Sequence, residues 1–374
     1  MHIVLVHQDL FFRGGQYVTA ALARGFSAAG HRVDVVVSRE HEAIQARCPD
    51  ARPFELAADV GFHVLPSRRA IGNVLALARV LRRLKPDVIV PCVGHYNECV
   101  ALARIVGRIP SPVVYVEHCP VGGRPARPTF RFRFDRWILQ RQVSRVVAVS
   151  NGVKRELLAK YDLPDEKVTR IYNPVFDEKP SEDVAAEHVH ASLRDKGVYR
   201  IVSAGGLNAG KDFKTLIEAF ARFRELTRGQ AKESRLVIFG EGLLRDELEA
   251  QIRRLGLDGK VVLAGYTKYL MDNFRSADAF AFSSRYETFG NVLIEALAAG
   301  LPVVSTDCPV GPREVLQDGR FGQLVPVGDI QAMAEAMARN FQGARHSMER
   351  FVVDDYVTAN VIKYYLKVIN EVIK

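Results

Sequence analysis

The 374-residue chain lacks the features that mark several classes of protein. No stretch approaches the roughly 18 consecutive apolar residues of a membrane span, and the run in MHIVLVHQDL is too short for a secretory signal. The expectation is a cytoplasmic protein whose contact with a membrane is peripheral. Cysteine is sparse: Cys48, Cys92, Cys99, Cys119 and Cys308 are odd in number and scattered, with no pair at the two-residue spacing of a zinc or redox site. A reduced compartment is the simplest reading, and no metal or other cofactor is expected. A composition 48% apolar and 25% charged excludes disordered, collagenous and coiled-coil chains, and the length suggests two domains.

What is present is an alternation of short apolar runs with longer helical patterns, the signature of an α/β protein with parallel sheets. Five candidate strands begin at His2, Arg32, Asp87, Pro112 and Arg145, and five more at Tyr199, Arg235, Lys260, Ala279 and Pro302. Each series opens the same way: HIVLV leads to Gly14 and Gly15 and then an amphipathic stretch, and YRIVSA leads to Gly205 and Gly206 and then another. Strand, glycine loop and helix start a Rossmann-like unit, whose ligands bind beyond the C-terminal strand ends. The polar, strandless segment after Asn173 places a boundary near residue 175, and the helical pattern from Val357 follows the last sheet element.

The densest motif is SSRYETFGNVLIEALAAG from Ser283. Gly290 and Asn291 open a helix that ends at Gly300, and inside it Glu295 has apolar neighbours on every side. A buried carboxylate is paired or meets a ligand, because isolating it costs several kcal/mol. Glu287 precedes the helix, and the backbone N–H groups of Phe289, Gly290 and Asn291 at a helix N-terminus suit a phosphate. The structural alternatives are a capping carboxylate at Glu287 and a buried salt bridge at Glu295.

Glu287 and Glu295, with Phe289-Gly290 between them, resemble the E-x7-E motif of the family-4 retaining glycosyltransferases. Gly14-Gly15, His118 after PVVYV, VVAVSNGVKREL, RIYNPV, Lys211 and GPREVL follow in the family's order, so the resemblance spans nearly the whole chain. It implies the GT-B architecture: two Rossmann-like domains facing across a cleft, 1–175 for the acceptor and 176–355 for the donor, with helix 356–374 crossing back to the first. It also implies roles. Glu295 would bind the ribose hydroxyls of a nucleotide-sugar donor, and Glu287 the sugar near its reacting carbon. Lys211 and the backbone of Phe289, Gly290, Asn291 and Val292 would hold the diphosphate without a metal, with Gly14, Gly15, Gly205, Gly206 and Thr288 completing the donor site. His118 would lie beside the transferred sugar. DCPVGPREVL resembles members using UDP-hexoses or UDP-N-acetylhexosamines, so UDP is favoured over GDP, and Glu314 is placed near the base or in a salt bridge.

One departure stands out. The family has Gly-Arg-Leu where this chain has Gly205-Gly206-Leu207, so the arginine that joins the lysine on the diphosphate is missing; Arg13 is a candidate substitute. Two rivals read the same loop differently. Gly205, Gly210 and Lys211 fit a P-loop, but Asp212 stands where a Mg²⁺-binding hydroxyl is needed, and neither glycine loop reads G-x-G-x-x-G as a dehydrogenase requires.

Charge is unevenly placed: residues 1–170 hold 26 Lys and Arg against 15 Asp and Glu, the remainder 26 against 28. The stretch from Gly123 interleaves Arg124, Arg127, Arg131, Arg133 and Arg136 with aromatics including Trp137. This pattern fits an anionic membrane surface, which agrees with an acceptor glycan carried on a lipid, as in bacterial surface-polysaccharide and lipopolysaccharide biosynthesis. An ordinary helix with solvated arginines is the structural alternative. A nucleic-acid-binding protein is the non-enzyme alternative, although no nucleic-acid partner is expected.

Overall fold

The computed structural model describes residues 1–11, 14–47, 54–118, 129–230, 233–343 and 351–373. Runs such as Ile3-Val4-Leu5-Val6 are buried along their whole length, as in a sheet covered on both faces, and the strand ladders are parallel. The chain divides into two units, residues 1–179 with 354–374, and residues 180–353.

The first unit contains β1 (His2–Val6), β2 (Arg32–Ser38), β3 (Gly61–Leu65), β4 (Val88–Pro91), β5 (Val114–Glu117), β6 (Arg145–Ala148) and β7 (Val168–Arg170). A sheet in the order β3-β2-β1-β4 is joined through the parallel bridge of Ile89 with Val113 to a second in the order β5-β6-β7. The second unit contains β8 (Tyr199–Ala204), β9 (Ser234–Phe239), β10 (Val261–Gly265), β11 (Ala279–Phe282), β12 (Val303–Thr306) and β13 (Gly322–Val325), in the order β10-β9-β8-β11-β12-β13. Renumbered from its own first strand, that is 3-2-1-4-5-6, the Rossmann order. The ten expected strands are present, and β3, β7 and β13 add to them. All three lie at sheet edges.

In the second unit the helix Phe213–Leu226 starts on Asp212, whose carboxylate accepts from the Thr215 amide at 3.4 Å. It buries Phe213, Leu216, Ile217, Phe220 and Phe223, one face at helical spacing. The helix Ile330–Phe341 packs alongside, with Phe341 edge-on to Tyr199 and Phe223 at centroid distances of 4.8 and 5.8 Å. In the first unit the C-terminal helix Thr358–Ile373 packs on the helix Gly14–Ala28. A Cβ at Gly25 would lie 2.6 Å from Ile362 and 2.7 Å from Thr358, so the two backbones approach as closely as glycine allows.

Candidate functional site

In the second unit the strand order reverses between β8 and β11, and a crevice opens beyond their C-terminal ends. The loop after β8 carries Gly205, Gly206 and Lys211, and the loop after β11 carries Glu287. The fold brings these loops together. Lys211 Nζ donates to Glu287 Oε1, and Ser284 Oγ donates to the same oxygen at 2.9 Å. Ser284 is itself held, its carbonyl accepting from Thr306 Oγ1 at 2.6 Å. The Lys211 carbonyl accepts from Ser283 Oγ at 2.8 Å, and its ammonium lies 5.2 Å from the centre of the Phe282 ring. Asp212 closes the junction with Arg285 at 3.1 Å.

The glycine loop is braced from within. The amides of Gly205 and Leu207 donate to the carbonyls of Phe239 and Glu241, and those of Gly210 and Lys211 reach Asn208 Oδ1 at 2.9 and 3.3 Å. A P-loop needs those amides turned to phosphate, so this geometry disfavours a nucleotide triphosphatase. The lysine, rather than the loop backbone, is the group that can meet an anion.

The helix Asn291–Ala298 starts at Gly290, which takes φ 95° and leaves the turn without a side-chain cap. Phe289 is buried, and Gly311 backs directly onto it: a Cβ there would sit 2.4 Å from the Phe289 carbonyl. Within this helix Glu295 is partly exposed, and among the described residues no hydrogen bond or ion pair reaches its carboxyl. Desolvation by the surrounding protein pushes its pKa up to about 8. The buried salt bridge expected as an alternative for Glu295 is therefore absent among the described residues. Cys308, whose thiol burial and the Glu287 charge push up to about 12, stays a neutral thiol.

In the first unit His118 follows β5 and lies against Gly15, its Cβ 3.9 Å from where a Gly15 Cβ would be. Its Nε2 is buried with no partner among the described residues. Burial, reinforced by His7, pushes its pKa down to about 3, so the ring is neutral across the physiological range. In the loop after β1, Asp9 accepts from the Phe11 amide at 2.9 Å and from Gln16 at 3.3 Å.

Of the basic aromatic stretch, Arg124 and Arg127 lie outside the described residues, as does Arg13. The helix Thr129–Trp137 includes Arg131, Arg133 and Arg136. Arg133 is exposed, Arg136 pairs with Asp162 at 2.6 Å, and Trp137 is exposed but stacks on Phe134. Phe132 stacks on Tyr161, so part of the aromatic content serves packing. Among the described residues no group of three His, Cys, Asp or Glu side chains is placed to hold a metal ion, and no helix is long and apolar enough to cross a membrane.

Asn208, Ser284 and Tyr286 carry site geometry that sequence reasoning passed over. Tyr286 is exposed and its ring lies 2.8 Å from where a Gly210 Cβ would be. Ser284 had a signal, three residues before Glu287; Asn208 had none beyond its glycine-rich surroundings.

Comparison with known proteins follows this geometry. The family model described as Glycosyltransferase Family 4 matches residues 12–179, and the model described as Glycosyl transferases group 1 matches residues 198–342. A Campylobacter jejuni N-acetylgalactosamine-N,N'-diacetylbacillosaminyl-diphospho-undecaprenol 4-alpha-N-acetylgalactosaminyltransferase is 34% identical over 216 residues, 57% of this chain and 53% of the relative. The chain spans about half the length of the curated relatives it matches. Among solved structures, a Rickettsia africae glycosyltransferase aligns with TM-score 0.77 at 17% identity, covering 100% of this chain and 98% of that one. The UDP complex of Anabaena HepE aligns with TM-score 0.75 at 18% identity, covering 99% and 100%.

Proposed function

The chain belongs to the GT-B glycosyltransferases described by those two family models, and on that premise we propose that it moves a hexose or N-acetylhexosamine from a UDP-sugar to a growing, lipid-linked surface glycan with retention at the anomeric carbon. The observation that carries this reading is Glu295: a desolvated carboxyl without an internal partner, on the helix that follows a lysine-held Glu287 at the switch point. Such a carboxyl is costly in the free protein and is satisfied by a ligand that brings hydroxyl donors, as a ribose does.

In the proposed cycle the donor diphosphate draws Lys211 away from Glu287. The ammonium then meets the charge that develops on the leaving group, and Glu287, still oriented by Ser284, accepts hydrogen bonds from the sugar. His118 contributes as a neutral imidazole, a hydrogen-bonding group for a sugar hydroxyl rather than a proton donor of ordinary strength. No step calls for a divalent ion. The lipid-linked acceptor is supported by the diphospho-undecaprenol in the name of the Campylobacter relative and by the basic first half of the chain, which suits a peripheral position at the inner face of the cytoplasmic membrane.

Titration calorimetry with UDP, GDP, ADP and NAD, each with and without Mg²⁺, tests the reading. UDP is expected to bind without Mg²⁺, and Glu295→Ala to weaken it about tenfold or more, the loss of a charge-assisted hydrogen-bond pair. Binding of ADP only with Mg²⁺, or of NAD alone, would replace it with one of the rival enzymes. Retention is read from the anomeric configuration of the product by NMR.

A further inference from the structure

From residue 60 to residue 86 the chain carries Arg68, Arg69, Arg79, Arg82, Arg83 and Lys85 and not one Asp or Glu. The helix Val74–Leu84 within it buries Leu77, Ala78, Leu81 and Leu84. Its opposite face holds Leu75, 58% exposed, together with Arg79, Arg82 and Arg83. The turn Ala70–Asn73 runs straight into this helix, because Asn73 is itself right-handed helical at φ −98° and ψ −4°. Ile71, 68% exposed, therefore stands one turn before Leu75 on the same outward stripe. At the other end Arg82 donates to the carbonyls of Gly107 and Val106 at 2.8 and 3.3 Å, which sets the stripe beside the exposed Ile105 and Val106. Arg69 and Arg79 have no acidic partner among the described residues.

Exposed aliphatic side chains in a field of one charge sign need an occupant that is both apolar and anionic. A second copy of this face would set arginine against arginine, and a nucleic acid would leave Ile71 and Leu75 in water. We propose that the outward face of residues 68–85 is the surface by which the first unit docks on an anionic lipid bilayer, Ile71 and Leu75 entering the headgroup region while Arg69, Arg79 and Arg83 meet the phosphates. This deepens the proposed function, resting on its lipid-linked acceptor, and it assigns the membrane contact to a different segment from the basic aromatic helix.

The test is flotation of the full-length protein with vesicles of phosphatidylcholine alone and of phosphatidylcholine mixed with phosphatidylglycerol, over a range of salt. Binding is expected only to the mixed vesicles and to weaken with salt. Ile71→Ser combined with Leu75→Ser is expected to lower partitioning about tenfold or more while keeping the salt dependence. Arg69→Ser with Arg79→Ser lowers it and flattens the salt dependence, and Arg133→Ser on the basic aromatic helix leaves it within about twofold. Thermal unfolding and UDP affinity of every variant should match the parent. Parent binding to neutral vesicles alone or to none, wild-type binding by the Ile71/Leu75 variant, or loss confined to Arg133→Ser would overturn the assignment; so would capture of an acidic protein with no lipid binding. UDP affinity, read separately, reports on the donor site and fails or holds independently of the vesicles.

Discussion

At the scale of single residues, the chemistry concentrates in groups whose charge the free protein leaves unbalanced. Glu295 ionises near its ordinary value of 4.5 in the unfolded chain and near 8 in the folded one. Between those values the folded state holds a proton the unfolded state has lost, so this residue's contribution to stability falls as pH rises through the window. Glu295→Gln removes the penalty: its melting temperature should exceed the parent's by a few degrees at pH 8 and match it near pH 5, while UDP affinity drops. Equal melting curves at pH 8 would mean that the carboxyl is already ionised at little cost. UDP affinity of the parent should itself rise with pH toward 8, since the carboxylate form is the acceptor for ribose hydroxyls. Gly206 is the complementary case. Its Cβ position lies 3.0 Å from Asn208 Nδ2 and 3.8 Å from the Glu241 carbonyl, so a side chain fits after a small shift of one flexible amide. Gly206→Arg is expected to fold and to raise turnover of the UDP-sugar about tenfold, because a guanidinium beside the leaving diphosphate supplies a charge-assisted hydrogen bond of about 1.5–3 kcal/mol. Unchanged turnover in a folded Gly206→Arg protein would show that another cation already serves.

At the scale of elements, what could be read from the sequence followed burial. β1, β2, β8 and β9 are central or flanked strands whose continuous apolar runs announce them, and the Gly290–Asn291 start and Gly300 end of the site helix were visible as caps. β3, β7 and β13 were not legible, since edge strands of three to five residues alternate or mix polar and apolar side chains and leave no run. The E-x7-E glutamates were legible as residues, but the Lys211–Glu287 ion pair was not: it joins positions 76 apart through sheet order, which one-dimensional spacing does not encode. β3 shows how such an edge is held. Asp34 on β2 accepts from His2 Nε2 at 2.6 Å and lies 2.5 Å from His63 Nε2, and a Cβ at Gly61 would collide with it. Burial alone would raise the Asp34 pKa, but the hydrogen bonds from His63 and His2 outweigh it and hold the carboxyl below its ordinary 3.8. A depressed carboxyl stabilises above its unfolded pKa and loses that contribution as pH falls through the folded one. Asp34→Ala should therefore cost about 2–4 kcal/mol at pH 7 in urea unfolding, with the gap to the parent narrowing below about pH 4. A gap that persists undiminished in acid would assign the loss to packing instead.

At the scale of the molecule, the second unit is an insertion into the first. The chain leaves the first unit after residue 179 and re-enters at 354, and the two crossings are stitched together. The amides of Val175 and Phe176 donate to the Tyr356 carbonyl at 2.8 and 3.1 Å, Thr358 donates to the Phe176 carbonyl, and Lys179 pairs with Asp354 at 2.6 Å. Lys211, Glu287 and Glu295 all fall within residues 180–353, whose core of Phe213, Phe220, Phe223, Met333 and Met337 is closed within that unit. The helix Thr358–Ile373, in contrast, supplies Ile362 and Tyr365 to the first unit's core, Tyr365 edge-on to Phe26 at 6.0 Å. Residues 180–353 produced alone are accordingly expected to fold cooperatively and to bind UDP within about threefold of the full chain, since distant sites without shared partners couple weakly. Removing residues 354–374 from the full chain should do the reverse, lowering the first unit's melting transition while leaving that of the second, and its stabilisation by UDP, in place. Calorimetric melting of both proteins with and without UDP distinguishes the outcomes. If the isolated second unit folds yet does not bind UDP, the donor site draws an essential group from residues 1–179, and Arg13 and His118 become the first side chains to substitute.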